Sequence, residues 1–164
     1  MGQNSPMPES RERTEEGRAP EGKQAEGPAA PPAELDGRVR LALHAAGEKK
    51  AHDLVVLDLR EVASFTDYFV IASGTNVRQV QAVADAVQEQ LRKQLGVKPA
   101  RVEGYNTAEW VLLDYGDFIF HVFEEKSRRF YDLERLWRDA ARVPLPADVT
   151  GGEGPGGGSL RDAR

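Results

Sequence analysis

The 164-residue chain contains no cysteine, which excludes a disulfide framework, a thiolate zinc site and a catalytic thiol. No apolar run approaches the length of a bilayer span, and the N-terminus lacks the apolar core of a signal peptide. These absences lead to the expectation of a soluble, cytoplasmic protein that does not engage a membrane. Positive charge is missing from one stretch in particular. Between Arg101 and Lys126 there is no lysine or arginine, while the same interval holds Glu103, Glu109, Asp114, Asp117, Glu124 and Glu125. Interleaved with those acids are Tyr105, Trp110, Tyr115, Phe118, Phe120 and Phe123. An acidic and aromatic segment of this kind has the composition of a docking surface for a basic partner, because aromatic anchors and complementary charge supply affinity and steering.

The net charge of −5 belongs to the ends of the chain. Residues 1–36 carry four basic and eight acidic side chains, and residues 146–164 carry two and three. The interval 37–145 therefore holds 16 of each sign and is neutral. A neutral domain exerts no general pull on nucleic acid, whose non-specific binding depends on many Lys/Arg–phosphate contacts. That argues against a stand-alone DNA or RNA binder.

Residues 1–34 are rich in Pro, Gly, Glu and Arg with almost no large apolar side chains, a composition that cannot offset its ordering entropy and is expected to be disordered. The segment 144–164, with Pro146 and the run Gly154-Pro155-Gly156-Gly157-Gly158, is expected to behave likewise. One folded domain, residues 35–143, lies between them, and no internal repeat is present.

Asp36 is placed to cap a first helix with Val39, Ala42, Leu43 and Ala46 on one face and Gly47 near its C-terminus. Leu54–Leu59 reads as a strand. Tyr68–Ala72 reads as a second, and its continuous apolar character suits a central position covered on both faces. The turn Ser73-Gly74-Thr75 leads to a long helix with Asn76 and Gln79 at capping-box spacing. Its apolar face is Val80, Val83, Ala84, Val87, Leu91 and Leu95; Gly96 supplies a left-handed stop and Pro99 blocks continuation. A short strand around Arg101–Glu103 precedes a hairpin of Trp110–Leu113 and Phe118–Phe123. There Gly116 takes the positive-φ turn position and Tyr115 is held at the tip. A last helix opening at Ser127 would share Phe130, Leu133, Leu136, Trp137 and Ala140 on one face until Pro144. The order α-β-β-α-β-β-β-α predicts an α/β protein, a mixed sheet flanked by helices.

Several groups invite a chemical reading. His44, His52 and His121 lack metal-ligand spacing and fit solvated or structural roles; His121, between Phe120 and Phe123, is kept as a contact candidate. Ser73-Gly74-Thr75-Asn76 joins a strand to a helix N-terminus, a geometry able to bind anions, yet it matches neither phosphate-loop nor dinucleotide pattern and is explained by a tight turn and a capped helix. Asp114 and Asp117 flank Gly116 across a turn, where acids commonly bond local backbone, instead of sharing one strand face as a metal-holding pair would. Alternation puts Trp110, Leu112 and Asp114 on one face and Glu109, Val111 and Leu113 on the other. Trp110 therefore fits either a core position beneath a helix or a partner surface. Lys126, Arg128, Arg129, Arg135, Arg138 and Arg142, relieved by Asp132, Glu134 and Asp139, fit a solvated helix face or a secondary contact with RNA phosphate.

Ordered blocks along the chain resemble the ribosomal silencing factor family (RsfS, Iojap-like). They are Lys50-Ala51 ahead of Val55-Val56-Leu57-Asp58-Leu59, Asp67-Tyr68-Phe69-Val70-Ile71-Ala72-Ser73-Gly74, and Arg78-Gln79-Val80. They continue with Glu103-Gly104, Trp110-Val111-Leu112-Leu113-Asp114-Tyr115-Gly116-Asp117, His121-Val122-Phe123, and Tyr131-x-Leu133-Glu134-x-Leu136-Trp137. The resemblance covers about residues 39–143. It implies a nucleotidyltransferase-like mixed-sheet fold without a catalytic carboxylate set, and a protein that is not an enzyme and takes no cofactor. It further implies binding to the large ribosomal subunit through ribosomal protein L-fourteen, blocking small-subunit joining and lowering translation when nutrients are scarce. A link to late large-subunit assembly is also implied, and since isolated members can self-associate, a homodimer is compatible with it. On this reading Trp110 and Leu112 supply apolar contact, Asp114 pairs with a partner Arg or Lys, Tyr115 adds area from the turn, and Tyr105 and Glu103 lie at the rim. The rival readings are a divalent-metal nucleotidyltransferase using Asp114, Asp117 or the Ser73-Gly74 turn, and an RNA-binding assembly factor led by the Arg-rich last helix.

Overall fold

The computed structural model describes residues 35–149; the N-terminal tail 1–34 and the C-terminal residues 150–164 lie outside them. Helix α1 (Gly37–Glu48) begins where the Asp36 carboxylate accepts the Arg38 backbone N–H, as its capping position requires. Gly47 is buried inside the helix, one residue short of its end. Strands β1 (His52–Asp58) and β2 (Tyr68–Gly74) pair antiparallel, with an irregularity between His52 and Val55 where Asp53 takes a positive φ of 53°. Helix α2 (Val77–Leu95) is capped by the Asn76 side chain, which accepts from the Gln79 N–H at 2.9 Å. The Gln79 side chain returns to the Thr75 N–H, at 2.6 Å, one residue earlier than a standard capping box would have it. Gly96 ends the helix in the left-handed conformation, φ 69°.

Strands β3 (Arg101–Glu103), β4 (Trp110–Asp114) and β5 (Phe118–Glu124) follow. The described residues close with helix α3 (Glu125–Tyr131), a single turn α4 (Leu133–Leu136) and a two-residue strand β6 (Ala141–Arg142). The six strands form one sheet in the order β3-β4-β5-β2-β1-β6. Among the described residues only β2 and β5 run parallel; every other pair is antiparallel. The expected mixed sheet flanked by helices is the observed one. Central β2 and β5 are buried along nearly their whole length, which is why they read as unbroken apolar runs.

The two faces are covered unequally. Both long helices pack on one face, joining Val39, Leu43, Val83, Val87 and Leu91 to Val56, Val70, Val111, Leu113, Phe118 and Phe120. The opposite face is covered by Leu133 with Ala63, Trp137 and Ala140, none of them on a long helix. Trp110 and Leu112 project from β4 on that thinly covered side.

Four expectations are corrected. Leu95 is 47% exposed, beyond the buried stripe of α2. The last helix is broken at Asp132, whose φ of 48° is left-handed, so its predicted apolar face never forms: Leu133 is buried while Phe130 and Leu136 are 80% and 74% exposed. The chain then returns to the sheet as β6, an element too short to show periodicity. Finally, the fold continues past residue 143, because Leu145 and Val149 pack on the core and Asp148 pairs with His44 and Arg40; the expected disordered segment begins too early at 144.

Candidate docking surface

Alternation along β4 is as the sequence implies. Val111 and Leu113 are fully buried against the long helices, whereas Trp110, Leu112 and Asp114 are half-buried on the other side. The antiparallel register sets Glu103 opposite Leu112 and Arg101 opposite Asp114. Glu103, Gly104, Trp110 and Leu112 line an open depression of about 230 Å³. Gly104, at φ 79°, is required there: a Cβ would fall on the Trp110 carbonyl oxygen. Backbone therefore approaches backbone beside the indole, leaving the ring edge and Leu112 open to a visitor.

Trp110 is both anchored and partly accessible. Its ring stacks on Phe123 (4.8 Å between centroids, 30°) and meets Tyr131 at 4.8 Å. Its N–H donates to His121 Nδ1 at 3.0 Å. The two alternatives for this side chain thus merge, since a ring locked by core contacts presents a rigid edge at low entropy cost. His121 is buried beneath it, and burial pushes its imidazole down to about 3, so the ring is neutral.

The acidic segment is less free than its sequence suggests. Arg101 donates to Glu103 at 2.6 Å and to Asp114 at 3.2 Å. Arg38 reaches Asp117 at 2.8 Å, Glu125 pairs with His52 at 2.7 Å, and Glu124 caps α3 by accepting from the backbone of Lys126 and Ser127. Only Glu109 of the six acids lacks such a partner among the described residues. One arginine nevertheless serves two carboxylates at the rim of the depression, so that rim keeps a net negative charge.

Tyr115 departs from its expected place. It is 8% exposed, stacked almost parallel on Phe118 (4.8 Å, 9°), and its hydroxyl is buried without a hydrogen-bond partner among the described residues. Desolvation pushes the phenol up to about 12. The turn itself forms as read, with Gly116 at φ 89° and Asp114 Oδ1 accepting the Gly116 N–H at 2.8 Å, but the phenol folds inward onto the core instead of outward. Tyr105 lies on the α2 side, where its hydroxyl donates to Asp85 at 3.0 Å and its carbonyl accepts from Gln81 at 2.9 Å. The depression thus brings together Trp110, Leu112 and Glu103 with Asp114 beside them, and leaves Tyr115 and Tyr105 outside.

The rival chemistries find little assembled. Asp114 and Asp117 are each occupied by a different arginine, and no group of three or more His, Asp or Glu able to hold a metal occurs among the described residues. Ser73 Oγ accepts from Arg128 at 2.7 Å, and a Cβ on Gly74 would crowd Val80 at 3.0 Å, so the turn is filled by its own packing. No described helix is long and apolar enough to cross a membrane. Arg128 is bolted to Glu134 through two hydrogen bonds, 2.9 and 3.1 Å, with Arg142 joining at 3.2 Å. Tyr131, which packs on Trp110, was not singled out by sequence reasoning as part of this surface; the signal available was Asp132, a residue type that tolerates the left-handed break placing Tyr131 at a helix end.

The family model for "Ribosomal silencing factor during starvation" matches residues 32–156. A ribosomal silencing factor RsfS from Halalkalibacterium halodurans is 40% identical over 112 residues, spanning 68% of this chain and 95% of that one. A mouse protein named mitochondrial assembly of ribosomal large subunit protein 1 is 30% identical over 93 residues, 55% of this chain and 40% of its own length. A crystal structure of a Chromobacterium violaceum protein superposes with a TM-score of 0.61 at 33% identity, covering 73% of this chain and 98% of that one. With the sheet, the hairpin and the family match over most of its length in agreement, the chain belongs to the ribosomal silencing factor family.

Proposed function

We propose that this protein acts by occupying space on the ribosome: it binds the large ribosomal subunit in the cytoplasm through ribosomal protein L-fourteen, blocks joining of the small subunit, and so represses translation under nutrient limitation. The same binding gives it a part in late large-subunit assembly, and no chemistry or cofactor is involved. The observation that carries the reading is the depression beside Trp110 and Leu112, on the sheet face that no long helix among the described residues covers. A rigid indole edge and an aliphatic side chain framed by a net-negative rim fit a basic protein surface. Trp110 and Leu112 are the apolar anchors. Asp114 and Glu103 are the charged rim, exchanging part of their Arg101 contact for a partner cation. Tyr115 supports the turn from beneath, and Tyr105 lies at the periphery.

Large subunits would be titrated with wild type, Trp110→Ala and Leu112→Arg, each checked for folding by circular dichroism, and pairing with small subunits followed by light scattering. Loss of a central anchor costs about 2–4 kcal/mol of binding, roughly thirty-fold to nearly a thousand-fold in affinity. Wild type is expected to slow pairing and the variants to fail at equal concentration. Equal pairing rates with and without saturating wild type would refute the obstruction; folded variants that bind as well as wild type would refute the site.

A further inference from the structure

The corner made by α3 and α4 carries a second surface of different character. From Glu125 to Asp139 there are five basic side chains against four acidic ones, a net +1 in a domain that is neutral as a whole. Tertiary structure sorts these charges. Arg128, with a side chain only 10% exposed, is consumed inside the corner by Glu134 and Ser73. Lys126, Arg129, Arg135 and Arg138 are exposed and have no ion-pair partner among the described residues. Lys126, Arg129 and Phe130 stand at i, i+3 and i+4 of α3, hence on one side of it. The Phe130 ring, 80% exposed, is met edge-on by Tyr131 (5.0 Å, 89°), and Tyr131 is itself held by Trp110. The ring is therefore a backed, oriented platform and not a loose side chain.

An open aromatic face flanked by unneutralised cations is what an unpaired nucleotide offers a match for: the base stacks while the phosphates on either side meet Lys or Arg. An acidic peptide would satisfy the charges but not the flat ring. We propose that the α3–α4 corner contacts single-stranded or looped RNA, with Phe130 as stacking platform and Lys126, Arg129, Arg135 and Arg138 as phosphate contacts. On the ribosome this would be ribosomal RNA beside the protein dock, a refinement that rests on the docking role proposed above. Four cations give weak affinity by themselves, consistent with the neutral domain. Tethered by the neighbouring dock, the same contact acts at high effective concentration and adds to residence on the subunit.

The test uses the full chain and a labelled single-stranded RNA oligonucleotide of mixed sequence, followed by fluorescence anisotropy across a salt series. Binding to the isolated ribosomal protein L-fourteen and sedimentation velocity of the free protein run in parallel. Wild type should bind the oligonucleotide at low salt. Phe130→Ala should weaken that binding at least about fivefold, and Lys126→Glu combined with Arg129→Glu should weaken it and reduce the log–log salt slope by about 1.4. All variants should hold the ribosomal protein as wild type does. No saturable RNA binding by wild type, or corner variants that bind RNA as wild type does, would overturn the RNA contact and leave the protein dock standing. Corner variants that instead lose the ribosomal protein, or change self-association, would make the corner a protein contact and overturn it too. Wild type that binds RNA but not the ribosomal protein would refute the dock alone.

Discussion

The Trp110 indole donates its N–H to Nδ1 of His121 across the β4–β5 pair at 3.0 Å. Because an indole can only donate, Nδ1 must accept, and the neutral His121 carries its proton on Nε2. A single bond therefore couples the docking side chain to the protonation state of a buried residue.

That coupling has a pH signature. His121 is held neutral down to about 3 in the fold, while the unfolded chain protonates it near the ordinary value of about 6.5. Between those values the unfolded state binds the extra proton, so stability falls as pH falls, by about 1.4 kcal/mol per unit at most. His121→Asn keeps an acceptor near the Nδ1 position and should flatten this slope. Urea unfolding of both proteins across the mildly acidic range measures it, and parallel slopes would be evidence against the assignment.

Trp110→Phe tests the bond apart from the ring. The aromatic stack on Phe123 survives, but Nδ1 is left buried without a donor, which should destabilise the fold by about 1–3 kcal/mol. The midpoint of urea denaturation should drop with an unchanged slope.

Two glycines with similar φ should respond differently to alanine. At Gly96 the added methyl meets open space, so only the left-handed backbone penalty of about 1 kcal/mol applies. At Gly104 the methyl also collides with the Trp110 carbonyl, and the loss should exceed about 2 kcal/mol, with the depression distorted. Thermal midpoints of the two variants compare them directly.

Glu134→Gln should cost about 3 kcal/mol, because it leaves the Arg128 guanidinium buried without its counter-charge. Burial alone would raise the Glu134 carboxyl, yet Arg128 and Arg142 together hold it below the ordinary range. This pair stabilises the fold above the ordinary glutamate value and loses that contribution as pH falls through the depressed one. Chemical denaturation of Glu134→Gln and wild type at neutral pH gives the difference; equal stability there would show that the pair is not structural.

Much of the architecture follows from signals that act within a few residues. Asp36 and Asn76 cap their helices, Gly96 and Gly116 take the left-handed turns, and the alternation of Trp110 to Asp114 sorts the two faces of β4, because hydrogen bonding and side-chain direction are set locally. The family blocks, too, are legible as text. What only tertiary structure decided is which charges meet. Arg38 lies 79 residues from Asp117, and His52 is nearly as remote in sequence from Glu125, so no reading of the cation-free stretch could show that these two acids are already engaged. The inward fold of Tyr115 and the two-residue β6 belong to the same class. Each was settled by packing against distant chain, which periodicity does not encode.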